Sequence, residues 1–306
     1  MVCFFCFEVI GKMKKHTTRL IKAAKGWNDA LKSYTELPKG VFGRVAIIES
    51  WAVKIKSEDY DLEFEVNFDD DLEANEAQIT VYNLSQNTIK NLIYNKPITI
   101  TAGYKNDTGV LFKGYISKVK TKKEGVDKKT TIYCLDSFDL KEKDLANVTY
   151  AAGTKASYIL KDLIGKTHLP IAIFEPKRDH TYEDEVSISG GLMDSIREYS
   201  KVCGISTYIN QSKVYSQHIS KGINGYFNLN ANTGMIDSPE EFQEEIEAED
   251  YKDVVNGYTV KCLLQHRITT GSVINLQSNY VKGEFRTRSG KHVFNESEAY
   301  TEIEVI

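Results

Sequence analysis

The sequence predicts an α+β fold that is mainly β, and three observations predict it. Leu62, Phe64, Val66 and Phe68 alternate with Asp61, Glu63, Glu65 and Asn67, the period of a strand with one apolar face to bury and one acidic face in water. The stretch 74–120 then reads in order as strand, short helix, strand and hairpin. Beyond Tyr150 two helical patterns interleave with short β-runs, the signature of a small α/β unit. At 306 residues the chain has room for two or three compact units.

Each element has a local reason. Residues 1–40 form an N-terminal arm in which Leu20, Ile21, Ala24, Trp27 and Leu31 recur at helical spacing, closed by Pro38 and Gly40. Ile79, Val81 and Tyr82 form a β-branched and aromatic run broken by Asn83-Leu84-Ser85, and Ser85 is an N-cap for a helix over 86–94. Ile98, Ile100 and Thr101 lead into Ala102-Gly103-Tyr104. A turn at Asn106-Asp107-Thr108-Gly109 and a return strand from Val110 to Val119 complete a hairpin. Lys118, Lys120, Lys122 and Lys123 flank Glu124-Gly125 as a solvated hairpin tip, and Thr130 to Leu135 is the strand after it. The run Asp69-Asp70-Asp71-Leu72-Glu73 lacks the Gly and the closing Glu of a calcium loop and reads as a solvated turn.

In the α/β unit, Tyr158, Ile159, Leu160, Leu163 and Ile164 share a helix that Gly165 ends. The segment 169–173 is a short strand, 192–202 a second helix, and 205–209 with 213–215 a hairpin turned at Asn210-Gln211-Ser212. The remaining strands are read at 260–264, 272–276, 283–288 and 299–305, with a turn at Thr269-Thr270-Gly271.

Composition excludes several classes. A formal net charge of −4 argues against a general nucleic-acid binder. No segment approaches the roughly 20 consecutive apolar residues of a membrane-crossing helix, so no membrane partner is expected. Cys3, Cys6, Cys134, Cys203 and Cys262 are odd in number and irregularly spaced, which is no disulfide framework and fits assembly in a reducing cytoplasm. Cys3 and Cys6 stand four-ligand zinc chemistry only half supplied. No catalytic, cofactor-binding or metal-ligating residue is identified. The six histidines are scattered, and no GxSxG elbow, phosphate loop or dinucleotide fingerprint occurs.

The order of elements, with ITVYNLS at 79–85, AGY at 102–104 and LFKGYIS at 111–117, resembles the first tube-like domain of bacteriophage tail hub proteins, found at the centre of baseplates in contractile-type tails and tail-like bacteriocins. The helix ending at Gly204 and the hairpin after it resemble the insert of such hubs. Asn232 to Pro239 resembles the segment that precedes the last barrel of hubs, and Gly271, Gly283-Glu284-Phe285-Arg286 and His292 resemble the turn and strands of that barrel. The resemblance covers about 41–306 and leaves the arm outside it. It implies two tube-like β-barrel domains, at 41–149 and 221–306, separated by an α/β insert at 150–220. It also implies a structural, non-enzymatic virion protein located in the tail and assembled in the host cytoplasm. Three copies would form a ring that adapts the sixfold tail tube to a threefold spike or tip, with the tube or tube-initiator protein and the central spike or tip protein as partners.

Two other function classes are weighed against this one. A β-rich module with 18 Tyr could hold cell-wall glycans. A hydrolase would need two carboxylates facing across a cleft, for which the dense run Glu240, Glu241, Glu244, Glu245, Glu247 and Glu249 offers candidates; that run reads instead as a solvated helix or loop.

Overall fold

A computed structural model of the chain describes residues 43–137, 144–223, 225–248 and 251–306. The predicted N-terminal arm, with Cys3, Cys6 and His16, lies outside the described residues.

The first group of elements is β1 (Arg44–Ser50), β2 (Val53–Lys56), β3 (Leu62–Phe68), β4 (Glu76–Tyr82), α1 (Gln86–Lys90), β5 (Pro97–Tyr104), β6 (Asp107–Glu124) and β7 (Asp127–Leu135). In β3 the residues at alternate positions, Leu62, Phe64, Val66 and Phe68, are all buried; the first three join a core shared with Ile48, Ile79, Ile100 and Ile132, and Phe68 lies against His292. Ser85 caps α1 as its position predicts, its Oγ accepting from the Thr88 amide at 3.0 Å. The helix is shorter than expected and ends at Lys90. The β5–β6 turn is tighter than expected: Tyr104 pairs directly with Asp107, so Lys105 and Asn106 alone form the loop and Asp107 to Gly109 are already strand. Gly103 allows this approach. A Cβ there would lie 2.2 Å from the Asp107 carbonyl oxygen.

The second group is β8 (Asp144–Tyr150), α2 (Ala156–Gly165), β9 (Ile171–Phe174), β10 (Val186–Gly191), α3 (Leu192–Val202), β11 (Ser206–Asn210) and β12 (Lys213–Gln217). Two small sheets form here: β8 pairs with β10, and β12 lies between antiparallel β11 and parallel β9. Ile159, Leu160, Leu163 and Ile164 of α2 pack with Leu192, Ile196 and Tyr199 of α3 in a separate apolar cluster.

The third group is β13 (Tyr226–Asn230), β14 (Glu240–Ala248), β15 (Tyr251–Leu263), β16 (Val273–Gln277), β17 (Lys282–Phe294) and β18 (Ala299–Val305). The glutamate-rich run is therefore a strand, neither helix nor loop. It pairs along its whole length with β15, from Glu240 opposite Thr259 to Ala248 opposite Tyr251. The strand expected at 283–288 runs on past His292 to Phe294 as one continuous β17.

First and third groups share a single sheet of 13 strands, joined where β17 pairs antiparallel with β3, from Gly290 opposite Phe68 to Phe294 opposite Phe64. At the seam the rings of Phe64 and Phe294 stack with centroids 5.2 Å apart. His292 is buried beneath it, its Nδ1 2.9 Å from Thr301 Oγ1 and its ring tilted over Phe68. Burial pushes its pKa down to about 3, so the ring is neutral. Leu264, Phe294 and Ala299 from the third group complete the core of the first.

Candidate functional site: a buried polar joint

The three groups meet around the loop 69–75 between β3 and β4. It is only in part the solvated turn its composition predicts. Leu72 is buried in the apolar cluster of α2 and α3, and Asp69 and Asp70 are partly buried, while Asp71 and Glu73 stay exposed. The backbone is held on both sides: the Ile209 amide donates to the Asp71 carbonyl at 2.9 Å, and Thr270 Oγ1 donates to the Asp69 carbonyl at 3.0 Å.

Asp136, just after β7, is almost wholly buried and joins the first group to the second. Its carboxylate accepts from the Asn75 amide (2.9 Å), from Asn75 Nδ2 (3.0 Å) and from the Gln211 amide (2.9 Å), and its carbonyl accepts from Ser212 Oγ. Asn75 Nδ2 also reaches the Ile209 carbonyl at 3.2 Å. The β11–β12 turn can present these donors because Gln211 and Ser212 both adopt positive φ, 48° and 60°, the backbone of a tight two-residue hairpin. Burial pushes the Asp136 carboxyl up to about 6 despite three donated bonds. Asp69 is pushed up to about 7, by burial first and by the neighbouring Asp71 charge.

Asp70 joins the first group to the third. Its carboxylate takes the Arg286 guanidinium at 2.6 Å and the Arg288 guanidinium at 3.5 Å, with the Arg286 side chain 3% exposed and Asp70 9%. The Arg286 guanidinium also lies 5.4 Å from the centre of the Tyr208 ring, which stacks on Tyr215. The arginine of the Gly283-Glu284-Phe285-Arg286 strand is thus the buried cation of the joint. Gly271 makes the close approach possible: it has φ +79°, and a Cβ there would lie 2.8 Å from the Tyr208 hydroxyl. Asn210 Nδ2 closes the triangle between second and third groups on Thr269 Oγ1 and the Thr270 carbonyl, at 3.3 and 3.4 Å.

A second clamp lies away from this joint, where Arg267 grips Asp107 with two nitrogens at 2.7 and 2.5 Å. In both arrangements the carboxylates of Asp70, Asp107 and Asp136 are engaged by donors from distant parts of the chain. Among the described residues no group of three His, Cys, Asp or Glu is placed to hold a metal, and no helix is long and apolar enough to cross a membrane. Sequence reasoning missed Asp70, Asn75 and Asp136 as members of one network, and Arg267 as the partner of Asp107. The one available signal was Leu72, an apolar residue inside an acidic run.

This architecture is shared with phage tail proteins. The tail protein from Neisseria meningitidis superposes with a TM-score of 0.59 at 7% identity, covering 86% of this chain and 96% of that one. The 43 kDa tail protein of prophage MuSo2 from Shewanella oneidensis gives 0.60 at 7% identity, covering 86% and 98%. The E. coli c3393 protein, described as a type VI secretion system component similar to T4 tail proteins gp27 and gp5, gives 0.54 at 9% identity, covering 85% and 76%. No curated protein sequence matches the chain. The fold is therefore that of a phage tail protein. A family model described as baseplate hub gp41 matches residues 73–281, more than half of the chain, and the protein belongs to that baseplate hub family, a structural component of the phage tail.

Proposed function

We propose that this protein is the ring-forming hub of its tail: three copies close around the tail axis and adapt a sixfold tube to a threefold spike or tip. The observation that carries the reading is the join between β17 and β3, backed by the Asp70–Arg286 and Asp136 contacts. It supports two tube-like units, at 41–149 and 221–306, held in a fixed relation with the α/β insert at 150–220 braced against both. Three such pairs supply six similar faces to a sixfold partner and three identical copies to a threefold one. Closed rotational assembly also covers strand edges that an isolated chain leaves open.

On this reading the tube or tube-initiator protein binds one side of the ring and the spike or tip protein the other. The chain does no chemistry, and assembly takes place in the host cytoplasm. Light scattering of the purified chain over a dilution series tests it. The expected result is a mass of three chains, stable or reached as concentration rises; a mass that settles at two, four or six chains would overturn the ring of three.

A further inference from the structure

The two longest hairpins carry opposite charge. Hairpin β6–β7 outruns its neighbours: the last β5–β6 pair is Pro97 with Tyr115 and the last β4–β7 pair is Tyr82 with Lys129. Beyond them it continues to Glu124 and Asp127, braced on one strand by Asn83, whose amide donates to the Lys128 carbonyl at 2.8 Å and whose Nδ2 donates to Asp127 at 2.9 Å, with Val126 at its tip 94% exposed. The projecting part holds Lys122, Lys123, Lys128 and Lys129, and the edge of β6 leading to it adds Lys118 and Lys120, against two acids, Glu124 and Asp127.

Its register sets like charges face to face, Lys122 opposite Lys129 and Lys123 opposite Lys128. Such pairs destabilise an isolated ribbon. Among the described residues the one ion pair of the arm is internal, Lys122 with Glu124 at 3.4 Å. Lysines on a free edge discourage self-pairing, but edge protection needs no facing lysine pairs in successive rows. They point to an anionic partner.

Strand β14 supplies one in kind. It carries five glutamates and no base, its outer edge has no strand partner among the described residues, and β18, β17, β3 and β4 lie between β15 and β7 in the sheet. Arm repels arm and acidic edge repels acidic edge, so of the contacts these two hairpins can make between copies, arm on edge is the attractive one. That contact is head-to-tail, the kind that closes into rings. We infer that the basic β6–β7 arm of one copy docks on the acidic β14–β15 hairpin of the next. The inference rests on the ring reading above and names its contact.

The full-length chain tests it by light scattering in low and high salt. Raising salt from about 0.1 M to about 1 M shortens the Debye length from about 10 to about 3 Å and should weaken association by about tenfold or more. The combined Lys120→Glu, Lys122→Glu and Lys123→Glu variant should weaken it comparably in low salt with its circular dichroism unchanged, as should Glu241→Lys, Glu244→Lys and Glu245→Lys together. Both reversals in one chain should restore self-association while excluding the unaltered chain from mixed assemblies. A three-chain mass indifferent to salt and to both reversals would overturn this contact and leave the ring standing. Charge-controlled association of another stoichiometry would support the contact and overturn the ring of three. A monomer at every salt and concentration would overturn both. Association left intact by the lysine reversals, with binding to a short DNA duplex lost, would assign the arm to nucleic acid instead.

Discussion

Asp70 and Arg286 stand 216 residues apart and form the most buried ion pair among the described residues. The Arg286 guanidinium is the closer of two cations on that carboxylate, Arg288 standing at 3.5 Å, and removing one member of a buried pair costs up to about 3–5 kcal/mol. Arg286→Met should lower unfolding stability by that order in urea denaturation, and adding Asp70→Asn should recover a substantial part, because the double variant buries no lone charge. Asp69 predicts a pH dependence of definite sign. With its carboxyl held near 7 in the folded chain against about 3.9 when unfolded, both states carry the proton in strong acid and no penalty exists. As pH rises from about 4 through about 7 the unfolded chain releases the proton first, so native stability falls across that window and is flat above it. Asp136, raised to about 6, acts in the same direction. Asp69→Asn keeps the Oδ1 that accepts from the Asp71 amide and should flatten the decline in urea midpoint between about pH 5 and about pH 8; an unchanged slope would remove Asp69 as its source.

Loop 69–75 shows how an element takes its conformation from its partners. Three aspartates in a row would be solvated in isolation; here Leu72, buried in the cluster of α2 and α3, and the bonds from Ile209, Thr270 and Arg286 fix the loop. Leu72→Ala should cost about 2–5 kcal/mol and speed hydrogen exchange at Ile209, whose amide bonds to Asp71; unaltered exchange there would mean that the loop is anchored by its polar contacts alone. β14 teaches a related lesson. Phe242 and Ile246 stand four residues apart, a spacing that keeps two side chains on one face of a helix and equally on one face of a strand. Local sequence leaves the choice open, and β15 makes it by offering Gly257 opposite Phe242, where a Cβ would lie 2.4 Å from the ring. Where period and caps agree, as in β3, α3 at Leu192–Val202 and β18 at Ala299–Val305, local reading and structure coincide.

For the whole molecule, the sequence by itself determined the fold class and much of the order of elements, because alternation, helical spacing and turn residues are local properties that survive without partners, and its motifs at 79–85, 102–104 and 111–117 carried the resemblance to the hub family. It also carried the ingredients of the joint: a glycine able to take positive φ at 271, an arginine in an otherwise polar strand, an apolar residue in an acidic loop. Only the tertiary structure decided that β17 would bond to β3, so that two sets of strands became one sheet, and that Asp70, Asp136 and Arg286 would share one buried network. Those contacts join residues tens to hundreds of positions apart, and pairing over such distances is selected by the fit of complete sheets and by the need to satisfy every buried charge, which no short stretch of sequence encodes.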